Sequence, residues 1–101
     1  MWLIVLFDLP TSTTEDRRNY TAFRKFLKKD GFSMLQFSVY ARSCPSEQNA
    51  VVHVKKVNAH LPPEGQVRIL KLTDQQYERQ SVFWGKKRRQ PEKPPAQLEL
   101  F

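Results

Sequence analysis

Seven apolar residues in unbroken succession, Met1-Trp2-Leu3-Ile4-Val5-Leu6-Phe7, stop at a single carboxylate, Asp8. A strand with one face in water alternates apolar with polar residues at period two. This run does not alternate, so Trp2, Ile4 and Leu6 on one side and Leu3, Val5 and Phe7 on the other all require cover. It reads as a central strand that delivers Asp8 at its C-terminal end. Pro10 halts the strand, and Thr13 with Asp16 three residues later reads as a capping box that opens a helix. Tyr20, Phe23, Phe26 and Leu27 share one stripe of that helix. Asp30-Gly31 ends it, with Gly31 suited to left-handed backbone.

Residues 32–42 are aromatic and β-branched, without Pro or Gly, and read as strand. The length leaves two forms open at Leu35-Gln36: one strand with a bulge, or two strands joined by a tight turn. Pro45-Ser46-Glu47 opens a second helix with Ala50, Val54, Val57 and Leu61 on its stripe, and Pro62-Pro63 closes it. Residues 67–72 alternate as a further strand. Thr73-Asp74 caps a brief helical turn, and residues 81–84 form a short fifth strand. The order β-α-β-β-α-β is the ferredoxin-like arrangement, an α+β sandwich. The expected fold is that sandwich with an added fifth strand. Both helices then lie on one sheet face and leave the other bare, which predicts a homodimer through the bare face and the fifth strand.

Composition shifts after residue 84, so residues 1–84 read as the domain and 85–101 as a basic, proline-containing arm. Lys86, Lys87, Arg88 and Arg89 are followed by Pro91, Pro94 and Pro95, and Leu98, Leu100 and Phe101 close the chain. Two readings of that segment stand: a frayed terminus, or an extended arm that pairs with another protein's sheet edge.

Charge narrows the partners. Seventeen Lys and Arg against ten Asp and Glu give +7 and a pI near 9.9, which favours a polyanion: nucleic acid first, a membrane surface second. Arg17, Arg18, Lys25, Lys28 and Lys29 on the first helix are the natural phosphate contacts, with the 86–89 run beside them. The alternative is a merely solvated face. No aromatic RNA-recognition motif accompanies them, so contact with the nucleic-acid backbone without sequence preference is expected. The apolar run is too short to span a bilayer and has no basic leader, so a cytoplasmic protein is expected. The one cysteine, Cys44, allows no internal disulfide, and His53 and His60 stand too far apart for a two-histidine metal pair.

Asp8 is the foremost chemical candidate. A carboxylate at a sheet rim suits Mg²⁺ held with its waters, and a two-fold dimer would bring a second Asp8 to complete the site. The plainer alternative is that Asp8 accepts hydrogen bonds from the 10–13 loop. Ser38 offers a hydroxyl that bonds the Asp8 loop or nothing.

Phe7-Asp8 at a strand end, Lys28-Lys29-Asp30-Gly31 at a helix end, and Leu35-Gln36-Phe37-Ser38-Val39-Tyr40 together resemble one family. It is the small CRISPR-associated endonuclease of the spacer-acquisition complex, with a tail resembling members of type II systems. The resemblance implies a homodimer that bridges integrase dimers along double-stranded protospacer DNA, with metal-dependent cleavage of RNA or DNA by some members. It implies Asp8 as the Mg²⁺-binding and catalytic aspartate, Ser38 as a catalytic hydroxyl and Tyr40 as a downstream aromatic. It also implies an integrase partner for Leu98, Leu100 and Phe101. Phe7 stands where the family usually has Tyr, and Met34 where Arg or Lys is common. Both departures weight DNA scaffolding above turnover. A different class of function, an RNA-binding or toxin-like endoribonuclease of the same fold acting on single-stranded RNA, remains the alternative.

Overall fold

The structure is a computed structural model that describes residues 1–94. Four strands form one antiparallel sheet: β1 (Trp2–Asp8), β2 (Ser33–Gln36), β3 (Val39–Ser43) and β4 (Gln66–Leu72). Their order is β2-β3-β1-β4, with β1 inside as its two-sided apolarity requires. Helices α1 (Thr14–Lys29) and α2 (Glu47–Ala59) complete the β-α-β-β-α-β order of the ferredoxin-like fold. Thr13 and Asp16 make the expected capping box, and Gly31 has φ 91°.

Leu3, Val5 and Phe7 meet Phe23 and Leu27 of α1 and Ala50 and Val57 of α2 in the main core. Leu61 corrects the expected α2 stripe. It lies beyond the helix and is exposed, while buried His53 takes a place on the inward face. The open question over residues 32–42 resolves as two strands. Gln36 pairs with Val39 across a Phe37-Ser38 turn, and the register shifts between Met34 and Gln36.

The second face of the sheet is not bare. Helix α3 (Asp74–Glu78), opened by a second capping box at Thr73, lays Tyr77 on Trp2 with ring centroids 3.8 Å apart and planes 6° from parallel. Trp2, Ile4, Ala41 and Tyr77 thus form a second buried cluster. The hydrophobic pattern demanded cover for Trp2 and Ile4, and a five-residue helix supplies it within the chain. Cover thins towards Leu6, Leu70 and Leu72, where an open groove of about 620 Å³ runs beneath Val82, Phe83 and Trp84.

The fifth strand, β5 (Val82–Trp84), does not extend the main sheet. It pairs with β6 (Lys87–Arg89) as a separate hairpin. Gly85, with φ 63°, holds the first central position of its two-residue turn, where only glycine is unstrained. The basic run expected to begin an arm is therefore largely one strand of this hairpin. The chain then returns across the second face, where the Tyr77 hydroxyl donates to Glu92 Oε1 at 3.1 Å. Leu98, Leu100 and Phe101 lie outside the described residues.

Burial, and then the charge of Glu92, push the Tyr77 phenol above its ordinary value. A raised folded-state value stabilises the fold fully below the unfolded phenol's pKa, about 10, and this contribution is lost as pH rises beyond it. Chemical denaturation on either side of pH ~10 should show a falling midpoint. Tyr77→Phe should flatten that fall relative to wild type; an unchanged pH slope would place the titration elsewhere.

Candidate nucleic-acid interface

Asp8 ends β1 on the second face, opposite Gln66 of β4, and is exposed. The strand alternation that buries Trp2 and Ile4 brings Asp8 out on the same side, beyond the point where apolar cover stops. The 10–13 loop does not tie it down. The Thr11 and Ser12 carbonyls accept from Arg17 Nη1 at 3.2 and 3.3 Å, and Thr13 is committed to its helix cap. Ser38 reaches this rim from the β2–β3 turn: the Phe7 N–H donates to the Ser38 carbonyl at 3.0 Å. Asp8, Phe37, Ser38, Gln66 and Arg68 wall an open depression of about 310 Å³. Asp8 and Ser38 are thus brought together.

Mg²⁺ keeps most of its waters and takes one or two carboxylates. The exposed Asp8 carboxylate beside a hydroxyl and an amide suits that donor chemistry. Among the described residues no cluster of three His, Cys, Asp or Glu side chains exists to hold a metal alone. Asp8 would therefore hold the ion chiefly through water, and the ion would supply charge neutralisation for a phosphodiester. Gly65 packs against the same strand end. A Cβ there would lie 2.7 Å from the Asp8 carbonyl, at φ 97°. Gly65→Ala is therefore expected to cost about 1–3 kcal/mol, read as a lower thermal midpoint.

The helix cations gather as the spacing implied. Arg17, Arg18 and Lys25 border one open depression on α1 with Thr14 and Thr21, and Lys28 and Lys29 continue its exposed face. Arg17 spends part of its fork on the 11–14 segment, including Thr14 Oγ1 at 3.3 Å. Lys86, Lys87, Arg88 and Arg89 are exposed on the separate hairpin, where Arg89 sits over the Trp84 ring, 4.8 Å from its centroid.

Tyr40 stands apart from the Asp8 rim. It is buried in the core, and its hydroxyl accepts from Arg24 Nε at 3.0 Å. The two histidines sit in separate surroundings. His60 stacks on Phe26, and His53 Nδ1 meets Asp30 Oδ2 at 2.7 Å with both side chains buried. Residue-by-residue reading overlooked Arg68 and Gln66 at the rim, because only the β1–β4 register sets them beside Asp8. Phe37 was visible as part of a motif, but its exposure was not.

A family model described as "CRISPR associated protein Cas2" matches residues 1–80. A protein named "CRISPR-associated endoribonuclease Cas2" from Parvibaculum lavamentivorans is 52% identical over 101 residues, covering 100% of both chains. Its namesakes from Flavobacterium psychrophilum and Paracidovorax avenae are 46% and 44% identical over the whole of this chain, covering 88% and 94% of their own lengths.

Proposed function

The chain belongs to the CRISPR-associated Cas2 family, and from that premise we propose that it serves spacer acquisition by gripping the backbone of protospacer DNA. In this reading it acts as a homodimer and bridges integrase dimers. The observation that carries the reading is the gathering of Arg17, Arg18 and Lys25 around one exposed depression of α1, with Lys28 and Lys29 extending it. Planar guanidinium forks and flexible ammoniums suit phosphate contacts. The groove beneath Phe83 and Trp84, which are 57% and 61% exposed, supports a second copy as its cover. Leu98, Leu100 and Phe101 would supply the apolar contact to the integrase.

A second reading, metal-dependent endonuclease activity on RNA or DNA, draws on the relatives' printed name and on the open Asp8 rim. Paired Asp8 carboxylates across a two-fold axis would hold Mg²⁺. Spacer integration with the neighbouring integrase, compared between wild type and Asp8→Ala, separates the two. Integration that survives the substitution supports the adaptor. Its loss, with DNA binding and integrase co-purification intact, supports chemistry at Asp8. An adaptor that fails to co-purify with the integrase, or to bind duplex DNA, sinks the first reading.

A further inference from the structure

The first helix carries its cations in doublets: Arg17-Arg18, Arg24-Lys25 and Lys28-Lys29. Seven and then four residues separate the doublets. The helical period therefore sets their first members in one row and their second members in another. The second row, Arg18, Lys25 and Lys29, is exposed. The first row, Arg17, Arg24 and Lys28, runs along the flank of α1 that Tyr40 of β3 approaches. The opposite flank meets α2, where Phe26 stacks on His60 at the end of that helix. Arg24 lies outside the depression that Arg17, Arg18 and Lys25 border.

Arg24 is half-buried, and its side chain is held from two directions. Nε donates to the Tyr40 hydroxyl at 3.0 Å, and Cζ lies 5.8 Å from the centroid of the Tyr20 ring. Tyr40 is 1% exposed, and Tyr20 packs edge-on against Phe7, so both rings are fixed by the core. Among the described residues the Arg24 guanidinium makes no other hydrogen bond and no ion pair. Nη1 and Nη2, the fork that meets a phosphate in two parallel bonds, thus have no partner there. A cation drawn half out of water without a countercharge is costly, and an anion at the fork would offset that cost. Arg17 differs. Its Nη1 and Nη2 are engaged with Thr11, Ser12 and Thr14.

We propose that Arg24 is a phosphate contact of the duplex grip, with Tyr40 as its positioning residue. The buried hydroxyl holds Nε while the Nη fork takes one backbone phosphate. This rests on the reading of α1 as a backbone-binding helix and deepens it, by adding one pre-set contact to a face of long, exposed side chains. A guanidinium already held in place gives up less side-chain freedom on binding. It therefore holds a phosphate more tightly than an exposed lysine of equal charge.

The test uses the full-length protein and a labelled DNA duplex, with binding read by fluorescence anisotropy at several salt concentrations. A circular-dichroism melt of each variant establishes that it is folded at the assay temperature. Arg24→Gln should weaken binding roughly ten-fold and lower the log-log salt slope by about one for each chain engaged. Tyr40→Phe keeps the ring and the charge but removes the hydroxyl. It should weaken binding roughly three-fold and leave the salt slope at its wild-type value, which a merely structural role would not produce. Arg24→Lys should keep the slope without restoring full affinity, because one ammonium cannot reproduce the fork. Lys55→Gln, which removes an exposed cation from α2 instead, should leave affinity and slope close to wild type. Arg24→Gln with wild-type affinity and slope overturns the proposal. So does unchanged affinity in Tyr40→Phe, which would leave the pair as a brace for α1. A wild type that does not bind duplex sinks the backbone grip and this contact together. A grip lost on reversing Arg17 and Arg18 but untouched by Arg24→Gln sinks this contact alone.

Discussion

Replacing Asp30 with alanine is expected to cost the fold about 3 kcal/mol and to lower its thermal midpoint by more than about 10 °C. Asp30 caps the C-terminal end of α1. Its buried carboxylate takes His53 Nδ1 at 2.7 Å and Lys56 Nζ at 3.6 Å, while its carbonyl accepts from Arg42 Nη1. His53 Nδ1 also faces Arg42 Nη1, at 3.4 Å. One ring nitrogen cannot accept from the guanidinium while donating to the carboxylate. The shorter contact decides: the imidazole N–H goes to Asp30, and Arg42 turns to the carbonyl. Alanine would leave that N–H buried without an acceptor, at a cost of about 1–3 kcal/mol, and would strip Arg42 of nearby countercharge. Lys56 is half-exposed and adds little. The domain's whole stability is of order 5–15 kcal/mol, so the loss is a large share. Asp30→Asn, which keeps an acceptor oxygen, should lose clearly less. Urea denaturation of both variants checks this, and an Asp30→Ala midpoint equal to wild type would show that the network contributes nothing net.

Reversing Arg17 and Arg18 together to glutamate is expected to produce the largest change in duplex binding. Removing one cation that neutralises a phosphate should lower the log-log salt slope by about one, so the pair should lower it by about two. Two new carboxylates then repel the phosphates that two guanidiniums attracted, and affinity at low salt should fall by roughly 100-fold. The two need not be equal. Arg17 is partly held by the Thr11 and Ser12 carbonyls, so Arg18→Glu alone should account for the greater share. The loss should be the same on unrelated sequences, as contact with phosphates alone requires. Titrations on two duplexes at several salt concentrations measure both quantities. An unchanged slope, or a weakening confined to one sequence, would rule out a backbone grip by this helix.

Unbroken apolarity in residues 1–7 was enough to make β1 central, since a strand buried on both faces has no other place in a one-layer sheet. The capping box at Thr13 and the glycine at 31 were equally legible. Caps and left-handed turns depend on a few adjacent residues whose chemistry the sequence states outright. So was the cationic face of α1, because helical periodicity fixes which side chains share a side.

Tertiary structure decided what depended on contacts between distant segments. Tyr77 covering Trp2 could not be read from either residue, since neither spacing nor propensity says where a five-residue helix will dock. The pairing of 82–84 with the basic run, rather than with the main sheet, hinged on a turn at Gly85 that composition presented as a boundary. His53 looked like a solitary histidine until chain folding set Asp30 beside it, 23 residues away. The Asp8 rim shows the same division. The sequence determined that a carboxylate ends the central strand, but strand register alone placed Arg68 and Gln66 beside it. A shift of one residue would have turned them to the opposite face.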